Sequence, residues 1–373
     1  MSSPPAGPGP AALPVLGIYG TGQLGRMLAL VARRLGVTVL TAGDDAVGSP
    51  CGQVAEPVED LERFLSRAAV VTTEFENVEP EVLRRAACAR PSADVVHTCQ
   101  NRRREKAFLV GAGLPVVRHA VAGDAAALDA AVAEVGLPVV VKTAAFGYDG
   151  KGQWVCRTAA DVAAVPADRA PFVVEALVPL ALECSVVVAR GADGALATYP
   201  VIENAHRHHI LDVSVAPARI PPALAAAATA AARTVAVALD AVGVLCVEFF
   251  VTTDGDLYVN EIAPRPHNSG HLTIEAAPTS QFEQQLRAAC GLPLGATEPF
   301  RPAAMANLLG DLWAHGEPDW AASLAVPGVA LHLYGKHEAR PGRKMGHLTA
   351  VASAPDEALE LVLDARRRLT PWP

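Results

Sequence analysis

Apolar runs of strand length alternate with amphipathic segments over the first hundred residues of the chain. A run at residues 16–20 precedes a segment at 24–35 in which apolar residues recur with helical spacing, and further runs lie at 37–41 and 69–73. Strands that alternate with helices are typical of a parallel sheet covered by helices on both faces. This part is therefore predicted to form an α/β domain, followed by a helix at 102–113 that leads into the next region.

Beyond residue 137 the pattern changes to a succession of short apolar runs. The pairs Asp193-Gly194 and Asp254-Gly255 between such runs are typical of hairpin turns. An alanine-rich helix is predicted at 221–238 and another helix from Asp356 onward, so this part has the pattern of an α+β protein. The predicted strands lie at residues 138–142, 153–156, 172–175, 183–189, 247–251, 257–262, 329–334 and 348–352.

The composition excludes several classes of protein. Of the 373 residues, 51% are hydrophobic and 19% are charged, which allows a large core and excludes a wholly disordered chain. The formal net charge of −8 argues against a broad surface for nucleic acid or anionic membranes. The most apolar stretch, 223–250, is interrupted by Arg233, Asp240 and Glu248, so it does not suit a membrane span. We expect no nucleic-acid partner and no membrane association.

The cysteines and the N-terminal segment bear on the location of the protein. Seven cysteines are scattered singly, without a C-x-x-C pair, which is typical of free thiols in a reducing compartment. Residues 1–14 are rich in Pro, Gly, Ser and Ala and lack the basic start and apolar run of a secretory signal. The sequence therefore predicts a disordered tail at 1–14 and a cytoplasmic protein.

A glycine-rich turn follows the first predicted strand. Gly20, Gly22 and Gly25 fit the pattern G-x-G-x-x-G, and Asp44 and Asp45 lie where a dinucleotide fold places its ribose-binding acid. Such glycines let main-chain N–H groups and a helix N-terminus approach an anion. The same residues also suit a tight turn that packs closely, so the motif alone leaves dinucleotide binding and a structural turn equally open.

A second glycine-rich segment, GYDGKGQ at 147–153, lies between two predicted strands. Its glycines and lysine suit a flexible hairpin flap whose main-chain donors cover phosphates, and Lys142 in the preceding strand adds a fixed cation. The segment is not a Walker A loop, because no Lys-Ser/Thr pair opens a helix there. A solvated glycine hairpin is the alternative interpretation.

Acidic residues interrupt two apolar strands that the Asp254-Gly255 turn joins. Glu248 lies in the first strand and Asn260 and Glu261 lie in the second, so these side chains can face each other across a hairpin. Two carboxylates and an amide oxygen are ligands that Mg²⁺ prefers. A surface pair of acids is the alternative, but the apolar neighbours favour a metal site, because buried acids need partners.

Two further segments concentrate hydrogen-bond donors. The donor loop at 263–271 has the sequence APRPHNSGH, and the basic segment at 336–347 has the sequence KHEARPGRKMGH. Arg and Lys concentrated in one segment of an acidic protein indicate a pocket for a phosphorylated substrate. A solvated basic loop is the alternative.

In this order, the motifs resemble the ATP-grasp superfamily and, within it, the 5-(carboxyamino)imidazole ribonucleotide synthase family. The resemblance implies an ATP-grasp fold of α/β and α+β class. It implies a Rossmann-like pre-ATP-grasp parallel sheet domain at 15–105, an ATP-grasp domain at 106–300 with a lid subdomain at about 115–180, and a small β-rich C-terminal domain at 301–373 packed on the ATP-grasp core. The motifs that carry it are GTGQLGRM (20–27), TTEFENV (72–78), GYDGKGQ (147–153), VNEIAPRPHNSGH (259–271), SQFEQQLRA (280–288) and RPGRKMGH (340–347).

The resemblance implies an ATP-dependent carbon–nitrogen ligation in purine (IMP) biosynthesis. Bicarbonate and ATP would form carboxyphosphate and ADP, and the amine of 5-aminoimidazole ribonucleotide would take the carboxyl group with release of phosphate. Such chemistry needs positioning and charge neutralisation more than a protein nucleophile. The family also implies ATP as a substrate, Mg²⁺ or Mn²⁺ as the metal, a homodimer, and a downstream mutase that uses the product.

The family's functional positions match residues of this sequence one by one. Residues 175–178 resemble the hinge strand that binds adenine through its main chain. The implied ATP site comprises Arg102, Lys142, Gly147, Tyr148, Asp149, Gly150, Lys151, Gly152, Gln153, Glu175, Ala176, Leu177, Val178, Glu183, His206, Asn260 and Glu261. The implied reaction centre comprises Tyr148, Asp149, Lys151, Arg265, His267 and Asn268. The implied substrate site comprises Gly22, Gln23, Leu24, Glu76, Lys336, Arg343 and Lys344, and the implied metal ligands are Glu248, Glu261 and Asn260.

Other functions remain as alternatives at this point. A related ATP-grasp ligase, such as a formate-dependent glycinamide ribonucleotide transformylase or a biotin carboxylase, would share the nucleotide site, although RPGRK and NSGH favour the imidazole substrate. A dinucleotide-dependent oxidoreductase would use the first glycine motif, which in the resembled family faces the ribonucleotide instead. A non-catalytic nucleotide-binding regulator is disfavoured, because the charged residues of the metal and phosphate scheme are all present. Phe146 departs from the family, which usually has a small residue before Gly-Tyr-Asp.

Overall fold

The N-terminal part of the molecule is a parallel sheet covered by helices. The structure is a computed structural model and describes residues 13–145, 147 and 151–370. The strands are β1 (Leu16–Tyr19), β2 (Val39–Ala42), β3 (Glu56–Pro57) and β4 (Val70–Thr73), all parallel, in the order β3-β2-β1-β4. The helices are α1 (Gln23–Arg34), α2 (Leu61–Arg67), α3 (Pro80–Arg85), α4 (Ala93–Cys99) and α5 (Arg102–Gly111). The α/β prediction for this region is confirmed.

Helices pack on both faces of this sheet, which explains why its strands are apolar on both sides. Leu16 and Ile18 of β1 are fully buried, as expected for a parallel strand covered on both sides. Between them, a side chain at Gly17 would lie 2.7 Å from the ring of Phe64, so the glycine lets α2 approach the sheet. The side chain of Asp60 starts α2 by accepting a hydrogen bond from the main-chain N–H of Arg63 at 2.7 Å.

A small antiparallel sheet follows and carries the glycine-rich flap. Its strands are β5 (His119–Ala122), β6 (Val139–Thr143), β7 (Gln153–Cys156) and β8 (Phe172–Ala176), in the order β5-β8-β6-β7, with the helices α6 (Leu128–Val135) and α7 (Ala159–Ala163). The flap joins β6 to β7, and Lys142 lies opposite Gln153 where the two strands separate. The two strands that flank the flap therefore pair as a hairpin, with a cation at its base.

The largest sheet is antiparallel and includes the C-terminal strands. Its order is β14-β13-β9-β11-β12-β15-β17-β16, with β10 paired to β9, where the strands are β9 (Leu180–Arg190), β10 (Leu196–Thr198), β11 (Ile202–Arg207), β12 (Ile210–Ala216), β13 (Gly243–Thr252), β14 (Leu257–Ala263), β15 (Ala303–Leu309), β16 (Val329–Leu333) and β17 (Lys344–Val351). The helices of this part are α8 (Pro222–Ala238), α9 (Thr273–Ala276), α10 (Gln281–Ala289), α11 (Trp320–Leu324) and α12 (Pro355–Arg367). Because β15 pairs directly with β12, the region predicted as a C-terminal domain extends the central sheet by strand pairing. In the described part of the chain, every helix is too short or too polar to cross a membrane.

Helix α10 joins the first sheet to the largest one. Gln285 is fully buried: its Nε2 donates to Thr72 Oγ1 of β4 at 2.8 Å, and its Oε1 accepts from the Val244 N–H of β13 at 2.6 Å. A side chain at Gly243 would lie 2.9 Å from Gln285 Oε1, so the glycine leaves room for this bridge. The bridge fixes the two sheets relative to each other, and Glu76, which follows β4, meets Arg265, which follows β14.

Candidate functional site

Two acidic residues face each other across the β13–β14 hairpin. Glu248 lies opposite Glu261, and the next pair along the ladder is Phe249 with Val259. Asn260 is therefore the extra residue of a β-bulge. Neighbouring side chains of a regular strand point to opposite faces, so the bulge is what allows Asn260 and Glu261 to serve the same site.

Two lysines contact one buried glutamate beside the bulge. Lys142 Nζ lies 2.6 Å from Glu175 Oε2, and Lys106 Nζ lies 3.2 Å from Glu175 Oε1. Both ammonium groups also reach Asn260, at 3.3 Å from Lys142 to its Oδ1 and 2.9 Å from Lys106 to its main-chain oxygen. Burial alone would raise the pKa of Glu175, but the two lysines lower this pKa to about 2. The ionised carboxylate holds Lys142 at the base of the flap.

Lys106 is a site residue that the sequence motifs do not single out. It lies four residues after Arg102 on α5, and this spacing, which puts both on one helical face, is the signal that could have found it. Arg102 donates from Nη1 to Thr143 O at 3.1 Å and from Nη2 to Gly147 O at 3.4 Å, and its Nη2 lies 4.0 Å from Glu261 Oε2. Helix α5 thus supplies two cations to the site.

The acidic side chains fit a divalent cation. The protein around Glu261 removes water from its carboxyl group and Glu248 repels its charge, so the pKa of Glu261 is raised. A cation between the two carboxylates would relieve that repulsion. Ligand atoms of Glu183, His206 and Glu248 also lie within 4.8 Å of one another. Carboxylate oxygens such as those of Glu183, Glu248 and Glu261 are ligands that Mg²⁺ prefers.

The donor loop (residues 263–271) is tied to acidic residues on both sides. Arg265 forms a two-point ion pair with Glu76, through Nε to Oε2 and through Nη2 to Oε1 at 3.0 Å. His267 Nε2 lies 2.9 Å from Glu248 Oε1. Burial disfavours the charge of both Glu248 and His267. Nevertheless, His267 lowers the pKa of Glu248 to about 2. In turn, the neighbouring Cys246 and Glu248 raise the pKa of His267 to about 10. Two predicted reaction-centre residues thus contact residues predicted for the metal and the substrate.

Asn268 of the donor loop is bound to the C-terminal part of the sheet. Its Nδ2 donates to Asn307 Oδ1 at 3.1 Å, and Asn307 Nδ2 donates back to Asn268 Oδ1 at 2.7 Å. Asn307 lies on β15, is buried, and also donates to Leu211 O at 2.7 Å. The strands after residue 300 therefore position the donor loop, a contact that no local sequence pattern indicates.

The basic segment (residues 336–347) lies beside the same group of acidic residues. Lys336 Nζ donates to Lys344 O at 2.6 Å, and Arg343 Nη1 donates to a main-chain oxygen of the segment at 2.8 Å. The charge of Lys344 is among the charges that lower the pKa of Glu248, and the charge of Lys336 acts on Glu74 in the same direction. Lys344 therefore lies near Glu248, which contacts the donor loop, and Lys336 lies near Glu74, which fills the glycine turn.

A carboxylate of the protein itself fills the first glycine turn. Glu74, which directly follows β4, accepts hydrogen bonds from the N–H groups of Gly22 and, at 2.6 Å, of Gly25. A side chain at Gly20 or Gly22 would lie 2.4 Å or 2.7 Å from Glu74, so these glycines make room for an acid of the neighbouring strand. The helix N-terminus that would hold a pyrophosphate in a dinucleotide fold is thus neutralised internally. Substrate contacts of Gly22, Gln23 and Leu24 stay a prediction.

We expect that NADPH does not bind and that MgADP does. Glu74 occupies the anion position of the turn, whereas Arg102 and Lys142 are cations at the base of the flap. A ligand at a hundred times its dissociation constant stabilises a protein by about 2.7 kcal/mol. MgADP should therefore raise the melting temperature in a thermal-shift titration, and NADPH at the same concentrations should leave it unchanged. A saturable rise with NADPH would contradict this interpretation of the turn.

The structure describes the hinge (residues 175–178) and part of the flap (residues 147–153). Tyr148, Asp149 and Gly150, like Phe146, lie outside the described residues. Gly152 has a φ of +73° and would bring a side chain within 2.6 Å of Thr143 Oγ1, which explains the glycine. In the hinge, the N–H of Ala176 donates to Arg118 O at 2.8 Å and that of Leu177 to Pro138 O at 3.0 Å.

Models of three protein families match consecutive parts of the chain. The ribonucleotide synthetase preATP-grasp domain matches residues 13–100, the ATP-grasp domain matches residues 107–282, and the phosphoribosylaminoimidazole carboxylase C-terminal domain matches residues 303–361. The chain thus contains the three parts that the motifs indicated, in the same order.

Relatives and solved structures agree with these matches. The chain is 40% identical to the N5-carboxyaminoimidazole ribonucleotide synthase of Bacillus subtilis over 360 residues, which cover 93% of each protein. It superposes on the N5-carboxyaminoimidazole ribonucleotide synthetase of Thermus thermophilus with a TM-score of 0.86 and 40% identity, over 96% of this chain and 100% of the other. It also resembles the N5-carboxyaminoimidazole synthase of Aspergillus clavatus in complex with ADP and 5-aminoimidazole ribonucleotide, with a TM-score of 0.84 and 32% identity, over 95% and 99% of the two chains.

Proposed function

Since the chain belongs to the N5-carboxyaminoimidazole ribonucleotide synthase family of ATP-grasp ligases, we propose that it carboxylates 5-aminoimidazole ribonucleotide in purine biosynthesis. A bicarbonate oxygen attacks the γ-phosphorus of ATP and the bond from that phosphorus to the β,γ-bridging oxygen breaks, giving carboxyphosphate and ADP. The exocyclic amine then attacks the carboxyl carbon, phosphate leaves, and the amine loses a proton. The products are N5-carboxyaminoimidazole ribonucleotide, ADP and phosphate.

Glu248 carries this proposal because it takes part in two neighbouring sites. It lies opposite Glu261 on the side of the lysine-rich nucleotide site, and it contacts His267 of the donor loop at 2.9 Å. A phosphoryl group bound on one side and a carboxyl acceptor bound on the other would meet at this residue. Carboxyphosphate could then form and react without leaving the cleft, which supplies the proximity that the second step needs.

The nucleotide side of the cleft supplies cations and main-chain donors. Arg102, Lys142 and the flap neutralise the charge of the transferring phosphoryl group. Glu248, Asn260 and Glu261 would hold Mg²⁺, or Mn²⁺, which when bound adds charge neutralisation at the phosphates. Because the N–H groups of Ala176 and Leu177 are already bonded within the protein, contacts to adenine fall to the Val178 N–H and the carbonyls of this segment, with Glu183 at the ribose and His206 nearby.

The acceptor side consists of the donor loop, the flap and the basic segment. Arg265, His267 and Asn268 would hold the carboxyl group and the imidazole, together with Tyr148, Asp149 and Lys151 of the flap. Glu76 would lie near the ribose, because its ion pair with Arg265 places it at the edge of the donor loop. Arg265 can replace this partner by a substrate anion of the same geometry.

Replacement of Lys344 by alanine is expected to weaken binding of the ribonucleotide far more than binding of ATP. A hydrogen bond to a charged group contributes ~1.5–3 kcal/mol, which corresponds to about a 10- to 100-fold higher dissociation constant. Calorimetric titration with each substrate measures both constants. Arg340→Ala is the matched control, since Arg340 belongs to the same segment but pairs with Glu338 at its exposed edge. Equal losses for both substrates would contradict a clamp on the ribonucleotide phosphate.

Three further proposals concern the oligomeric state of the enzyme, its location and the enzyme that uses its product. We propose a homodimer, a cytoplasmic location and a downstream mutase that consumes the carbamate product. The location is supported by the single, unpaired cysteines of the described chain. Sedimentation velocity tests the dimer: a single species of monomer mass at assay concentration would exclude it.

ADP release with MgATP, bicarbonate and 5-aminoimidazole ribonucleotide, each omitted in turn, tests the proposed function. Full turnover should require all three. Turnover with formate and glycinamide ribonucleotide instead would keep the ATP-grasp mechanism and reject the substrate. Without ATP consumption under any of these conditions, the proposed ligase activity is wrong.

A further inference from the structure

A row of buried polar side chains crosses the largest sheet beneath the donor loop. Ser214 Oγ donates to Asn204 Oδ1 at 2.8 Å, Asn204 Nδ2 donates to Ser185 Oγ at 2.9 Å, and Ser185 Oγ lies 2.8 Å from Ser269 Oγ. The three serines are fully buried and Asn204 is 6% exposed. Ser214, Asn204 and Ser185 lie on the adjacent strands β12, β11 and β9, and Ser269 lies in the donor loop. We call these four residues the polar row.

The polar row ends on the imidazole of His267. Ser269 Oγ lies 2.9 Å from His267 Nδ1, and the opposite ring nitrogen, Nε2, lies 2.9 Å from Glu248 Oε1. A carboxylate accepts only, so Nε2 carries a hydrogen toward Glu248. The ring is thus held at both nitrogens, by Glu248 on one side and by Ser269 on the other, and these two contacts together fix its plane.

Packing alone does not account for the polar row. Buried hydroxyl and amide groups in a sheet interior lose their hydration, and replacing hydrogen-bonded partners by apolar groups of similar shape is often neutral for stability. Here the next residues on the same face of these strands, Val187, Ile202 and Ala216, are apolar and buried, so an apolar row would fit the same core. A connected polar row instead rigidifies the groups that it joins.

A separate contact holds the main chain of the donor loop. Gln281 accepts from the His267 N–H at 2.9 Å and donates to the His267 carbonyl at 2.7 Å. A side chain at Gly270 would lie 2.5 Å from Gln281 Oε1, so the loop is built around this amide. The main-chain N–H of Ser269 also lies 3.3 Å from His267 Nδ1 and is kept when the hydroxyl is removed. Because Gln281 fixes the backbone, loss of the Ser269 hydroxyl should loosen the ring of His267 at Nδ1 without displacing the loop.

We propose that Ser269, held by the polar row, is a positioning residue that orients His267 for carboxyl transfer. The inference rests on the proposed function for the role of His267 in turnover, but the orientation of the ring is a property of the protein alone. Ser269 itself acts through His267, since its hydroxyl is fully buried beneath the loop. Neither Asn204 nor Ser214 contacts the ring, so their effect on it should fall with distance along the row.

Ser269→Ala and Ser214→Ala form a matched pair of variants. Each removes one fully buried hydroxyl from the same row, but only the first touches His267. Ser269→Ala should lower kcat roughly 10- to 100-fold and keep the KM values for ATP, bicarbonate and the ribonucleotide within about twofold of wild type, since small misplacements of reacting groups act on the chemical step. Ser214→Ala should keep kcat within about twofold of wild type, whatever its melting temperature. Equal losses of kcat in the two variants, or a rise in KM without a change in kcat, would overturn the proposal.

The nitrogen resonances of His267 supply a readout that does not need turnover. In a histidine-labelled protein, the signals of His267 are assigned by their absence in His267→Asn. Ser269→Ala should shift the Nδ1 signal and Ser214→Ala should leave it in place; an unchanged Nδ1 signal in Ser269→Ala rejects the positioning role. If Ser269→Ala does not fold, Ser185→Ala, which removes the neighbour of Ser269, should produce a smaller shift of the same signal, and no shift there rejects the proposal. If the wild type does not carboxylate the ribonucleotide, the proposed function fails while this comparison still decides the inference.

Discussion

Replacement of Glu261 by glutamine is expected to reduce ADP formation about a thousandfold or more, because a metal-held charge worth several kcal/mol is lost at the phosphates and each 1.36 kcal/mol is tenfold in rate. Glutamine keeps the shape of the side chain and removes its charge. The Glu261 side chain is 44% exposed and does not fill the packed core, so the fold should be retained. Steady-state ADP release at saturating substrates measures the loss.

A matched control and a second readout separate this effect from general damage. Asp254→Asn removes an exposed carboxylate from the turn of the same hairpin and should leave turnover unchanged. In thermal-shift titrations, wild type should be stabilised more by ADP with Mg²⁺ than by ADP alone, and Glu261→Gln should lose most of that difference. A variant that turns over normally and still depends on Mg²⁺ would show that Glu261 is not a metal ligand.

Local patterns in the sequence predict those strands and helices well whose burial follows from their own apolar residues. The apolar runs at β1, β2 and β4 lie inside a parallel sheet, and the alanine-rich segment forms α8, as expected. The acids of β13 and β14 also face each other as predicted, because hairpin pairing follows from a short turn. These outcomes depend on contacts within a few dozen residues of the chain.

Local sequence patterns do not indicate contacts between segments that are far apart in the chain. The β-bulge at Asn260 re-aims one side chain, and nothing in VNEIA distinguishes a bulged strand from a regular one. Helix α10 carries three fully buried glutamines, although a glutamine-rich helix is typically exposed, because their amides bond main-chain groups of other elements. Lys106 and Glu74 likewise become site residues only through partners more than 45 positions away.

The alanine-rich strand β15 is a second case in which local sequence patterns do not predict the structure. Alanine favours helices, but Ala304 and Ala306 are fully buried on a strand between β12 and β17, where small side chains fit between the sheet and α12. Tertiary packing therefore overrides local propensity in this strand. Asn307, which positions the donor loop, belongs to this strand. Because the sequence patterns do not predict β15, they do not indicate this residue of the site either.

Replacement of Glu175 by glutamine is expected to lower the free energy of unfolding by about 3–5 kcal/mol, as removal of one partner from a buried ion pair typically does. Glu175 is the anion between Lys106 and Lys142, which are 1% and 8% exposed. Without it, two ammonium groups remain buried side by side, and Asn260, to which both donate, is neutral. Urea unfolding of the two proteins at neutral pH measures the difference. Glu134→Gln, which changes an exposed glutamate of α6 packed on the same small sheet, is the control and should unfold like wild type.

The pH dependence of that difference identifies its cause. The pKa of Glu175 is lowered from an ordinary value of 4.5 to about 2 in the folded protein, so its ionisation stabilises the fold above pH 4.5, and this contribution is lost as the pH falls toward 2. The shift corresponds to a stabilisation on the order of 3 kcal/mol. Because protonated Glu175 resembles glutamine, the stability difference between wild type and Glu175→Gln should be largest above pH 4.5 and shrink as the pH approaches 2. A difference that stays constant over this range would mean that shape or packing, rather than the charge between the two lysines, makes Glu175 important.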